Sequence, residues 1–197
     1  MNARIHPQLT LDTYLAWEND QLEKHEFYRG EIFAMVGARR IHSCVVGNVA
    51  RELGNLLKGT PCRVFHAGMK LQIGDDTVLY PDVFITCDRA DLAADTLCRA
   101  PTAVVEVLSP STQSYDRSKK FSLYRRIDAL KEYVLVDPDT RRVEAFRRNA
   151  NNDWVLHDMS ESDTLELACL ALRVPMLEVF AGVEPPADPA AEPPPQA

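Results

Sequence analysis

Apolar positions along this chain recur with two periods. Across residues 42–57, Val45, Val46, Val49, Leu53, Leu56 and Leu57 fall at the three- and four-residue spacing of one helix face, and Gly59 stands where such a helix stops. Thr10 or Asp12 can cap an earlier, shorter helix running through Leu15 and Trp17. Residues 25–29 and 31–35 read as two strands turned tightly at Arg29-Gly30. Short strands are expected at 63–66, 70–73 and 78–86, and the dense apolar run 103–108 has the pattern of a buried strand.

After a polar turn over 111–115, residues 116–127 predict a helix. Strands follow at 132–137, 142–148 and 154–157, the first two joined at Pro138-Asp139-Thr140. A short helix starting at Pro175 closes the domain within 174–180. A helix, a run of strands, one strand feeding a helix and a further strand together predict an α/β fold with a mixed central β-sheet flanked by helices. The last stretch, EPPADPAAEPPPQA from Glu184, has no apolar period and cannot bury a core. The expected organisation is one domain over 1–183 and a disordered, acidic, Pro/Ala-rich tail over 184–197.

Composition adds little until it is divided. The 197 residues are 46% hydrophobic and 26% charged, which excludes bulk disorder. No apolar run approaches the roughly 18 residues of a membrane helix and no signal peptide is visible, so a cytoplasmic protein is expected. The net charge of −7 argues against a chain coated in positive charge. It is uneven, however: −3 over 1–115, +4 over 116–148 and −8 over 149–197. The middle segment therefore offers a local basic flank. Cys44, Cys62, Cys87, Cys98 and Cys169 show no CxxC spacing and read as reduced thiols, with Cys44 and Cys169 packed in the core.

Two acids stand out because their surroundings are apolar. Asp82 lies in LYPDVFIT and Glu106 in AVVEVLS, inside the strongest β pattern of the chain. A carboxylate there is costly unless it is paired or holds a metal. Two such acids on neighbouring strands can converge on one divalent cation, and oxygen donors suit Mg²⁺ or Mn²⁺. Each acid alone could equally face water at a strand end or pair with an arginine. In DRSKKFSLYRRI, Lys120 shares the apolar face of Leu123, Tyr124 and Ile127, whereas Lys119 faces solvent. Lys120 can point inward beside the two acids, or lay its stem on the core and keep its ammonium wet.

With these residues in place the chain resembles the Uma-two family of restriction endonucleases, within the PD-(D/E)xK nuclease superfamily. The matching stretches are HEFYRGEIFAM with His42 downstream, YPDVFIT, PTAVVEVLSPST, YDRSKKFSLYRRI and LKEYVLVDP, in family order over about residues 10–180. The resemblance implies a restriction-endonuclease-like core, a divalent-metal site and phosphodiester cleavage. It assigns Asp82 to the PD element and Glu106 to the second acidic element. The superfamily's lysine two positions on is replaced by Leu108, and the family match for it is Lys120 on the next helix. Glu26 and Glu31 match acids of the amino-terminal hairpin; Glu26 could complete the metal shell or remain a solvated acid. His42 could support the site or start its helix. Asp116 reads as a helix cap and Tyr124 as a packing residue.

The functional expectation is a metal-dependent endonuclease acting on nucleic acid, with DNA the expected substrate. Asp82, Glu106 and Lys120 would be catalytic, and Asp82, Glu106 and Glu26, with the Val107 carbonyl, the Mg²⁺ or Mn²⁺ ligands. Two-strand cutting would call for a homodimer; no membrane partner is expected. The alternatives are an inactive nuclease-fold module that binds nucleic acid or a protein, and a hydrolase of small phosphoesters.

Overall fold

The computed structural model describes residues 4–5, 9–35, 37–66, 68–160, 162 and 164–184. Its elements in chain order are β1 (Arg4–Ile5), α1 (Leu11–Glu18), β2 (His25–Tyr28), β3 (Glu31–Ala34), α2 (Arg40–Leu56), β4 (Arg63–His66), β5 (Lys70–Ile73), β6 (Thr77–Leu79) and β7 (Val83–Thr86). These are followed by α3 (Arg89–Ala93), β8 (Leu97–Cys98), β9 (Pro101–Val107), α4 (Gln113–Tyr115), a π-helical turn (Asp116–Lys120) and α5 (Phe121–Tyr124). The last are β10 (Glu132–Asp137), β11 (Arg142–Arg148), β12 (Trp154–Asp158), β13 (Thr164–Leu167), a 3₁₀ turn (Ala168–Leu170), β14 (Leu172–Pro175) and α6 (Met176–Val179). The expected tail, beyond Glu184, lies outside the described residues.

A mixed α/β architecture with helix-flanked sheets results. The central sheet runs β12-β11-β10-β9-β7-β4, with β9 and β10 parallel and the other neighbours antiparallel. A second sheet runs β1-β3-β2-β6-β5-β8, and β13 pairs with β14. The central sheet is covered on both faces, which explains its continuous apolar strands. Ala103, Val105 and Val107 of β9 join Val45, Val49 and Leu53 of α2 in one core cluster. Val104, and Leu108 just beyond β9, turn to the opposite face, among Leu123 and Tyr124 of α5 and Leu71 and Leu79 of the second sheet. The two-residue period therefore puts Glu106 on the α5 side, between Val104 and Leu108.

The local signals act as expected at several ends. The Thr10 hydroxyl caps α1 by accepting the Thr13 N–H at 3.2 Å. Arg29 and Gly30 both take left-handed backbone (φ 48° and 88°), which a two-residue hairpin turn between β2 and β3 requires.

Four expectations need correction. The strand expected over 78–86 is two strands in two sheets. Pro81 has no N–H for a ladder, so the chain leaves the second sheet after Leu79 and enters the central one at Val83, with Asp82 at the crossing. The turn expected over 111–115 is already helical from Gln113, and α3, β8, β13 and β14 were too short for periodicity to reveal. Cys62 and Cys87 form a disulfide. Antiparallel pairing of Arg63 with Thr86 carries on to bring these two flanking cysteines together, a consequence of register that sequence spacing conceals. Cys169 is exposed and not in the core.

Candidate active site

Register builds the centre. The β7–β9 pairing of Val83 with Val105, extended by one residue, sets Asp82 against Glu106. The Asp82 N–H points to Glu106 Oε2 at 3.3 Å, and the Val107 N–H donates to Asp82 Oδ2 at 2.8 Å. Glu106 Oε1 accepts from the Tyr124 hydroxyl at 2.7 Å and from Lys120 Nζ at 3.0 Å. The ammonium also lies 3.5 Å from Glu26 Oε1 and 3.6 Å from Asp116 Oδ1. His42 Nε2 contacts Asp82 Oδ2 at 3.2 Å. All six of these ionisable groups, Tyr124 aside, line one cavity of about 320 Å³.

Leu108 sits two residues beyond Glu106 on the same face but is consumed by core packing. The cationic position is filled from the following helix instead. A π-helical turn, wider than an α-helical one, sits at Asp116–Lys120 and buries both end residues toward the cavity. Leu123 and Tyr124, at +3 and +4 from Lys120, are buried as the facing argument requires. Asp116 is therefore no cap: it lies within a continuous helical run, and its carboxylate faces Lys120. Tyr124 does more than pack, since its hydroxyl fixes Glu106. Lys119 turns elsewhere and donates to the Tyr28 hydroxyl at 2.8 Å.

The electrostatics are unbalanced. Four carboxylates (Glu26, Asp82, Glu106, Asp116) share one ammonium and one imidazole. Burial raises the Glu106 carboxyl, Asp82 and Asp116 reinforce this, and despite Lys120 it is pushed up to about 8. Burial likewise raises Asp116 against the pull of Lys120. Asp82 goes the other way: burial opposes ionisation, but the His42 hydrogen bond and charge, Lys120 and the Val107 N–H hold it below the usual range. Burial disfavours the His42 imidazolium, yet Asp82 and Asp116 lift it above its ordinary value. Burial opposes the Lys120 charge too, and Glu106, Glu26, Tyr124 and Asp116 overcome it and keep the ammonium protonated.

Excess buried negative charge with hard oxygen donors fits a divalent cation. Among the described residues, no three His, Cys, Asp or Glu side chains converge as a full ligand cluster. That is compatible with Mg²⁺, which keeps several waters and is bound through one or two carboxylates plus substrate phosphate. Asp82 and Glu106 are the pair available for it. Glu26 Oε1 already faces Lys120 and the Tyr80 N–H, leaving its second oxygen to offer. Glu31, on β3, does not line the cavity.

A polar layer behind the cavity escaped the sequence reading. Tyr80, a cavity residue, donates to buried Glu18 at 2.7 Å, and Glu18 also accepts the His25 N–H at 2.9 Å. Its only signal was a tyrosine beside the Pro81-Asp82 pair. The expected basic flank is largely engaged within the fold. Arg117 pairs with Glu144, Arg126 with Asp76, and Arg147 with Glu132 and Glu166, while Arg148 donates to the carbonyls of Arg125, Ile127 and Asp128.

The comparisons with known proteins point one way. The Uma2 (Uma-two) family model, described as "Putative restriction endonuclease", matches residues 11–177. A Synechocystis protein named as uncharacterized is 35% identical over 178 residues, covering 90% of this chain and 94% of that one. A second Synechocystis protein, also named as uncharacterized, is 30% identical over 168 residues, covering 83% and 95%. Among solved structures, a "putative nuclease belonging to DUF820" from Anabaena variabilis superposes with a TM-score of 0.73 at 18% identity, covering 88% of this chain and 98% of that one. At that identity the likeness is one of fold.

Proposed function

The chain belongs to the Uma2 family, and from that premise we propose that it is a metal-dependent endonuclease hydrolysing phosphodiester bonds of nucleic acid, with DNA as its substrate. The observation that carries this reading is the meeting of Asp82, Glu106 and Lys120 on one cavity.

Asp82 and Glu106, with the Val107 carbonyl, would hold Mg²⁺ or Mn²⁺, and Glu26 is the further candidate ligand. When bound, such a cation polarises a scissile phosphate and lowers the pKa of a coordinated water. The chain's own groups do the rest. Tyr124 and Lys120 both grip Glu106 Oε1, which fixes the carboxylate plane and leaves Oε2 toward Asp82. His42 and the Val107 N–H orient Asp82 through Oδ2. Lys120 supplies a buried positive charge that stabilises attacking hydroxide or the charge of the transition state. A homodimer would give two sites for two-strand cutting. A cytoplasmic setting goes with a nucleic-acid substrate; no helix among the described residues is long and apolar enough to cross a membrane. The Cys62–Cys87 disulfide is the feature that speaks against a reducing compartment.

One observation favours the non-catalytic alternative: much of the basic segment is paired internally. A cleavage panel of single- and double-stranded DNA and RNA in Mg²⁺, Mn²⁺ or EDTA, run beside Lys120→Ala, decides between them. The nuclease reading expects cleavage that needs the metal and Lys120. Cleavage undiminished in EDTA removes the metal, and binding with no cleavage of any nucleic acid returns the inactive module.

A further inference from the structure

The floor of the cavity poses an electrostatic problem for the substrate proposed above. Glu26, Asp82, Glu106 and Asp116 face it, and a phosphodiester is itself an anion. Of the lysines and arginines among the described residues, two line this cavity: Lys120 at the floor and Arg39 at the rim. Lys120 is enclosed by carboxylates. Arg39 is half-exposed, and its guanidinium is held in a two-pronged contact by Asp139, Nη1 to Oδ2 at 2.7 Å and Nη2 to Oδ1 at 2.8 Å. Asp139 belongs to the β10–β11 turn, far away in sequence, and its own N–H is tied to Asp137 Oδ1 at 2.9 Å.

Beside Arg39 on the same cavity stand three hydroxyls from the segment after β9. Ser109 Oγ lies 3.1 Å from Ser111 Oγ and 3.0 Å from Thr112 Oγ1. Hydroxyls rotate to suit a new acceptor, and phosphate oxygens are strong acceptors. The guanidinium fork that fits a carboxylate also fits a phosphate. Both side chains of the Arg39–Asp139 pair are nearly half-exposed, so water screens the pair and a competing anion can reach the fork.

We propose that Arg39 and the hydroxyls of Ser109, Ser111 and Thr112 form a backbone-phosphate subsite on the rim of the cavity, with Asp139 occupying Arg39 until a nucleic-acid strand displaces it. The proposal rests on the nucleic-acid reading and adds what draws the strand to an acidic floor. Asp139 acts as a stand-in anion: it keeps the fork aligned in the free protein and competes with the strand for it.

The two halves of the ion pair separate this role from a structural one. If Arg39–Asp139 only braced the fold, removing either partner would act alike. As a subsite, the two changes act in opposite directions. Binding of a short fluorescein-labelled single-stranded oligodeoxynucleotide is followed by anisotropy in Ca²⁺ across a salt series, with cleavage measured separately in Mg²⁺. Arg39→Ala is expected to weaken binding about tenfold and reduce the salt slope by about 1, the signature of one lost phosphate contact. Asp139→Asn is expected to tighten binding several-fold, and this gain is expected to vanish in the Arg39→Ala background.

Equal weakening by both single variants, or an Asp139→Asn gain that survives without Arg39, overturns the subsite. Cleavage by the wild-type protein with KM unchanged in Arg39→Ala overturns it while leaving the nuclease reading intact. Oligonucleotide binding that follows the expected pattern without cleavage supports the subsite and removes catalysis. No binding by the wild-type protein overturns both.

Discussion

Lys120 Nζ lies 3.0 Å from Glu106 Oε1 although the two residues are 14 apart in sequence and belong to different elements. The strand supplies the acid and the π-helical turn after it supplies the cation. Leu108, where a strand-borne lysine would stand, is buried in the core beside α5. This arrangement lets the strand keep an apolar register while a cation still reaches its acid.

Removing either strand acid should separate chemistry from folding. Asp82→Ala and Glu106→Ala are each expected to reduce Mg²⁺-dependent cleavage by at least about 100-fold, on the scale of losing a key electrostatic group. Both variants are expected to keep a cooperative unfolding transition, read by circular dichroism. Cleavage persisting in both would remove these residues from the mechanism.

Lys120→Met leaves Glu106, Glu26 and Asp116 buried around an apolar side chain. Breaking a buried pair in this way costs about 3–5 kcal/mol when the remaining charge must stay ionised. Burial already raises the Glu106 and Asp116 carboxyls, and protonating them relieves the cost, so the variant is expected to be markedly less stable at pH 8 than at pH 6. Urea unfolding at the two pH values measures this, and an equal loss at both would contradict it.

The Glu106 carboxyl gives the metal-free protein a definite pH dependence. Its folded value, about 8, is above the 4.5 of a free glutamate, so the folded state holds a proton that the unfolded state has released. The associated stability is fully present below the unfolded value and is lost as pH rises through about 8. In EDTA, stability is expected to fall over this window, and Glu106→Gln is expected to flatten the profile. A wild-type profile that rises between pH 5 and 8 and is unaltered in Glu106→Gln would contradict the assignment.

Tyr124→Phe deletes one hydroxyl from the group that fixes Glu106. Loss of this buried hydrogen bond is expected to cost about 1 kcal/mol of stability where Glu106 is protonated and about 1.5–3 kcal/mol where it is ionised. Tyr124 also lowers the Glu106 pKa, so the acid should titrate still higher in the variant. Chemical denaturation reads the first effect; a shift of the stability–pH profile to higher pH reads the second.

The Cys62–Cys87 bridge closes a span of 25 residues that contains β5, β6, β7 and Asp82. Loop-closure entropy for that length amounts to about 3.5 kcal/mol. Dithiothreitol, or Cys62→Ser with Cys87→Ser, is expected to lower the Tm by several degrees or more. An unchanged Tm on full reduction would show that the bridge contributes no net stability.

Much of the architecture is legible in the sequence. The period of three and four in α2, the continuous apolar run of β9 and the Arg29-Gly30 turn each reflect a local rule, because side-chain direction and backbone torsion are set within a few residues. Asp82, Glu106 and Lys120 were visible for a related reason: each places a charge where the surrounding pattern demands burial. What stayed hidden was the content of contacts between distant segments. The break at Pro81 sends β6 and β7 into different sheets, a choice made by strand pairing rather than by the local run of residues.

Sequence alone thus marked Asp82, Glu106 and Lys120 as candidates for chemistry, and the kind of elements that bear them. Only the tertiary structure decided their partners. The β7–β9 register joined Asp82 to Glu106, and the β4–β7 register joined Cys62 to Cys87. Packing of the π-helical turn made Asp116 a member of the site, and the β10–β11 turn gave Arg39 its anion. The physical reason is range. Periodicity and turn preference act over a few residues, whereas the ionisation and partnering of a buried charge depend on every group that folding brings within a few ångströms.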